Sequence, residues 1–163
     1  MADVIIEKRE LLFAVEGVKA PQSLLLEADL TVAGLLERVR HATGRHDLVE
    51  ALIEDEETAL AHHELVFERI TIEDFRLIHV ASCGEITVTV AFNGVKQRTF
   101  KPSATMAKII RWAMYEFGIE GDPSEFQLKV GDAVLPPGEH LGQIAHGAKE
   151  VRLALVMKIR PQG

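Results

Sequence analysis

Twice along the chain, apolar and polar positions alternate, then recur at helical spacing, then alternate again. The clearest stretch is EITVTVAFNGVKQRTF at 85–100, where Ile86, Val88 and Val90 alternate with Glu85, Thr87 and Thr89. A period of two carried by β-branched side chains predicts a strand buried on one face. Asn93-Gly94 then precedes a second alternating run, which predicts a hairpin, because these residues accept the positive φ of a tight turn. In SATMAKIIRWAMYEFGI, Met106, Ile109, Ile110, Ala113, Met114 and Phe117 return every three or four positions. That spacing predicts an amphipathic helix, started by Ser103 or Thr105 and stopped by Gly118. SEFQLKV predicts a short strand with Phe126, Leu128 and Val130 facing inward. GDAVLPPGEHLGQI reads as turns around another short strand, and EVRLALVMKI as a last one.

The first half has the same order. LLFAVEG and QSLLLEA predict a hairpin, TVAGLLERVRHATG a helix closed by Gly44, LVEALIED a strand and EDFRLIHV the final strand. Gly17-Val18-Lys19 echoes Gly94-Val95-Lys96, and Thr31 echoes Thr105 at a helix start, so the copies lie about 75 residues apart. That period suits two small duplicated domains better than a solenoid. A hairpin, one amphipathic helix and further strands bury their apolar faces by packing the helix across one face of a mixed sheet. The first and last strands, separated by the helix, can then pair in parallel at the centre, which is the β-grasp arrangement. The expected class is α+β, with two tandem β-grasp domains at 1–81 and 82–157 joined by the small-residue stretch ASCGE, and a tail at 158–163. Five linker residues alone fix little of the relative orientation.

Charge sharpens the division. The chain of 163 residues has formal net charge −7, but residues 1–82 hold 8 Lys and Arg against 17 Asp and Glu, while 84–163 hold 10 against 8. The acidic balance argues against nucleic-acid binding. No apolar run approaches the roughly 20 residues of a membrane span, and the opening MADVIIEKRE lacks the basic-then-apolar order of a secretion signal. The expected compartment is the cytoplasm, where the single Cys83 forms no internal disulfide and packing supplies stability.

Two segments of the second half resemble ubiquitin. LALVMKIR at 153–160 is similar to the ubiquitin ending Leu-His-Leu-Val-Leu-Arg-Leu-Arg, with Lys158 and Arg160 in the basic positions and Ile159 between them. VLPPGEHL at 134–141 is similar to Gln-Leu-Glu-Asp-Gly-Arg-Thr-Leu through Leu135, Gly138 and Leu141. Two such units before one tail resemble the tandem ubiquitin-like modifiers, both the vertebrate interferon-stimulated form and the bacterial form of Bil-type antiphage operons. The resemblance implies a modifier and not an enzyme, with no catalytic residue and no metal or bound cofactor of its own. An E1-like enzyme would consume ATP to activate the terminal glycine, an E2-like enzyme would receive it, and a peptidase would reverse its attachment to lysines of a target such as a phage structural protein. The carboxylate would be that of Gly163, and Val156, Met157, Lys158, Ile159, Arg160, Pro161 and Gln162 would form the enzyme-binding tail. The family ends in Gly-Gly where this chain has Pro161-Gln162-Gly163, a departure that counts against a ubiquitin-type activating enzyme and that a dedicated enzyme could accept. Lys129 stands where ubiquitin has the central isoleucine of its binding patch, so ordinary ubiquitin receptors are not expected on that face.

The tail chemistry is consistent with this. Acyl transfer needs a carboxylate that passes through narrow channels to a thiolate and then to an amine, and glycine, without a Cβ, is the slimmest terminus. Pro161 keeps Arg160 extended, and two cations can grip acidic groups. A non-covalent tandem binding module that recruits partners through its sheet faces or its acidic N-terminal domain is the alternative, and a sulfur carrier with a terminal thiocarboxylate is a third. Other chemistry is weaker: His62-His63 would point to opposite faces of a strand, Cys83 has no base placed beside it, and EDEET at 54–58 lacks the ligand alternation of a calcium loop. Of Trp112 and Tyr115, one is expected in the core and the other at the surface.

Overall fold

The computed structural model describes residues 7–71, 76–82 and 84–159. In the first half the elements run β1 (Lys8–Val15), β2 (Gln22–Glu27), α1 (Val32–Thr43), β3 (Glu50–Ile53), the single turn α2 (Val66–Arg69) and β4 (Ile78–Ala81). In the second they run β5 (Ile86–Ala91), β6 (Val95–Phe100), α3 (Met106–Phe117), a short 3-10 helix (Pro123–Glu125), β7 (Phe126–Val130), β8 (Ala133–Leu135), α4 (Leu141–Ala145) and β9 (Glu150–Met157). The sheets have strand orders β2-β1-β4-β3 and β6-β5-β9-β7-β8. In each, the first and last strands pair in parallel at the centre, Phe13 opposite Ile78 and Val90 opposite Leu153. Both halves are therefore β-grasp folds, in tandem.

The two helices end by the same device, as the paired sequence signals required. Thr31 and Thr105 are extended N-caps whose hydroxyls accept from the amides of Gly34 and Lys108, and Gly44 and Gly118 close the helices in the left-handed region. Each helix lays its apolar stripe on its own sheet. Leu35, Leu36 and Val39 pack with Phe13, Val15 and Ile78, while Ile109, Ile110 and Ala113 pack with Val88, Val90 and Leu155. Each large side chain so buried is worth about 1.5–3 kcal/mol. Trp112 packs edge-on to Phe100 while Tyr115 is exposed.

Several expectations need correction. Val130 is exposed, because β7 ends there and Gly131 turns the chain at positive φ. His62 and His63 lie in a turn, not on a strand. The segment expected to be only turns and a strand also contains α4, a helix of five residues and too short to show a hydrophobic period. Part of the expected strand 73–80 falls at 72–75, outside the described residues, as does Cys83.

Candidate functional site

The root of the tail is built by β9. Val156 pairs with Gln127 and Met157 with Phe126, and one residue further the Lys158 amide donates to the Glu125 carbonyl at 2.8 Å. The 3-10 helix thus holds the chain up to Lys158, and beyond it Ile159 is 94% exposed. Alternation puts Val156 on the sheet's outer face, half-buried, while Met157 at the strand end is exposed. Arg160, Pro161, Gln162 and Gly163 lie outside the described residues. Lys129, opposite Ala154, occupies the same outer face, where Thr87, Thr89 and Arg152 make a polar surface.

The first sheet's outer face has a different fate. Ala14, Leu52 and His79 are adjacent on it by register and wholly buried, because α4 and the segment after β6 pack over them. The contact is crossed by hydrogen bonds. Gly17 N–H donates to the Gly142 carbonyl, and Gln143 Nε2 donates to the carbonyls of Val18 and Lys19 at 3.1 and 3.0 Å. Asp55, in the turn after β3, accepts from Thr105 N–H and Thr105 Oγ1 at 2.8 and 2.9 Å, so the first domain supplies a carboxylate to the start of α3 in the second. An anion there also suits the positive end of the helix. Lys108 Nζ returns a bond to the Asp55 carbonyl, and Ser103 Oγ donates to the Glu56 carbonyl. Ser82 Oγ donates to the Glu16 carboxylate, which also binds Arg45, so the connecting segment is itself tethered.

At the centre lie two histidines, both buried. His79 Nδ1 and His140 Nδ1 are 2.9 Å apart, and His140 Nε2 is 2.7 Å from Glu54 Oε1. With His140 Nε2–H donating to the carboxylate, His140 Nδ1 accepts from His79 Nδ1–H, which is the assignment that gives each of these atoms a role. It leaves His79 Nε2 as a bare buried acceptor without a partner, packed against Gly142. Burial first, and the neighbouring His140 second, push the His79 pKa down to about 3. The direct Nδ1 to Nδ1 contact leaves no gap for an ion between the rings. Sequence inspection singled out neither histidine. Their only signal is that each falls inside an apolar stretch, LIHV and HLGQI.

Residues 87–158 match a family model described as BilA ubiquitin-like domain 2. Among solved structures, a ubiquitin of Caldiarchaeum subterraneum is 13% identical, covering 48% of this chain and all of its own, with a TM-score of 0.40. No curated protein matches the sequence. The chain folds as two tandem β-grasp domains, the second of which is similar to BilA ubiquitin-like domain 2.

Proposed function

We propose that the chain is a protein modifier, attached through the carboxylate of Gly163 to target lysines. The observation that carries the reading is the course of β9. It runs at the centre of the second sheet, keeps its hydrogen bonds to Lys158 and then releases Ile159 into solvent, inside and just past the segment similar to a BilA domain. A strand held by hydrogen bonds as far as Lys158 is already ordered at the root of the tail, which limits the entropy lost when an enzyme binds there.

The chemistry divides between this chain and its partners. An E1-like enzyme joins the carboxylate to AMP from ATP, releasing pyrophosphate, and a thiolate then displaces AMP to form a thioester. The acyl group passes to an E2-like thiol. A lysine amine then attacks, expelling the thiol and leaving an isopeptide that a dedicated peptidase can hydrolyse. The modifier supplies the acyl group and the grip, through Lys158 and Arg160, and its partners supply the catalysis. Antiphage defence in the bacterial cytoplasm, with a phage structural protein as target, is the setting that the resemblance to Bil-type modifiers suggests. A non-covalent tandem module working through both sheet faces is disfavoured by burial of Ala14, Leu52 and His79 on the first of them.

The test is co-expression with the cognate E1-like and E2-like enzymes, followed by mass spectrometry of target peptides. A branched peptide ending in Gly163 is the expected result. Deletion of Gly163 should abolish the adduct without altering the fold, and cellular activity that survives the deletion would refute the reading.

A further inference from the structure

A cleft of about 460 Å³ opens beside the root of the tail, between α3, the 3-10 helix, β7 and β8. Its floor is apolar, formed by Ile110 and Phe126 from the core side, with half-exposed Val134 at the rim. Pro123, Pro136 and Pro137 form walls. A proline ring fixes φ and carries no N–H, so such walls stand before a ligand arrives and lose little freedom when it does. The charge of the lining is one-sided. Arg111 and Lys158 face the cleft and no carboxylate lines it, and neither cation has an ion-pair partner among the described residues.

We propose that this cleft is a docking site for a peptide segment of a protein partner, one that carries one or two large apolar side chains next to carboxylates. The volume falls within the roughly 300–1,000 Å³ of clefts that accept ligands. Apolar side chains cover the Ile110 and Phe126 floor and remove it from water, and the carboxylates reach the two free cations, Arg111 offering a planar fork for a bidentate contact. A basic segment meets repulsion from both, which gives the site its selectivity. The inference goes beyond the modifier reading and does not require the tail to be acylated.

The test uses the full chain, labelled with nitrogen-15, titrated with a ten-residue peptide in which a Leu-Phe pair is flanked by glutamates, and in parallel with the same peptide flanked by lysines. The expected result is saturable shifts at the amides of Ala107, Ile110 and Val134 with the acidic peptide and none with the basic one. Reversing both exposed cations, Arg111→Glu with Lys158→Glu, should weaken the acidic peptide at least about tenfold and admit the basic one, with the spectrum of the free variant verifying the fold. No saturable binding of the acidic peptide at about 1 mM, shifts that map elsewhere, or affinity indifferent to charge reversal would overturn the proposal. So would concentration-dependent shifts at the cleft without peptide, which would make the occupant a second copy of this chain. The titration contains no enzyme and no ATP, so its failure and the failure of conjugation are separate results.

Discussion

Alanine at position 142 should loosen the contact between the two domains. A Cβ there would collide with His79 Nε2 and lie 2.8 Å from His79 Cε1 and 3.0 Å from Pro102 Cβ. The imidazole cannot retreat, because it is wholly buried and its other nitrogen is bonded to His140. Forcing a methyl group into such packing costs about 1–3 kcal/mol. Against this, alanine is a better helix former than glycine by up to about 1 kcal/mol, and by less in the first turn of a five-residue helix. The collision therefore prevails, and Gly142→Ala should destabilise by about 1–2 kcal/mol. In a His79→Ala background the larger obstacle is gone and only the 3.0 Å approach to Pro102 Cβ remains, so the same change should cost clearly less, giving a coupling of about 1–2 kcal/mol between the two positions. Guanidinium denaturation of the four proteins measures this, with slopes compared to detect separation into two transitions. A stabilising Gly142→Ala in the native background, or a coupling below about 0.5 kcal/mol, would show that the domains do not meet at this contact.

Acidification should weaken the fold through His79, whose pKa is held near 3 against 6.5 for the free side chain. Above pH 6.5 both states are neutral and the stability is complete; below it the unfolded chain takes up a proton that the folded chain refuses, so stability is lost progressively down to about pH 3. The loss reaches about 2 kcal/mol by pH 5 as an upper bound, and His79→Gln should remove it, as denaturation midpoints at pH 7 and pH 5 would show. Asp55→Ala should cost about 1.5–3 kcal/mol, because Thr105 N–H and Oγ1 lose an ionised acceptor. Asp55→Asn should cost less, since it keeps an acceptor and tolerates the positive φ of that residue; thermal unfolding separates the two. Replacing Lys158 and Arg160 by alanine should weaken docking to the activating enzyme by about 1.5–3 kcal/mol per contact if each is made in a buried channel, and by under about 1 kcal/mol if they stay solvated, as measured by thioester formation against enzyme concentration.

Local pattern was enough for the architecture of each half. Alternation over Ile86–Val90, the helical return of Met106 to Phe117 and the matched Thr and Gly signals at both helix ends are short-range features, and short-range physics makes those elements. Duplication of the pattern placed one core in each half, and separation of first and last strands by a helix implied their parallel pairing. The last strand was also legible, because the alternation over Val151–Val156 is a contiguous signal. The relation between the domains was not. A linker of small residues left the orientation open, whereas in the structure Asp55 accepts from Thr105, the N-cap of a helix in the other domain, and His79, an outward position on a central strand, meets His140 across 61 residues of chain. An outward-facing side chain on a β-strand has the same sequence signature whether water or another domain covers it. The cleft by Arg111 and Lys158 is equally silent, since three prolines and two cations become one surface only when α3, β7 and β8 are folded side by side. Elements follow from neighbours along the chain, whereas interfaces and clefts follow from neighbours in space, which only the tertiary structure brings together.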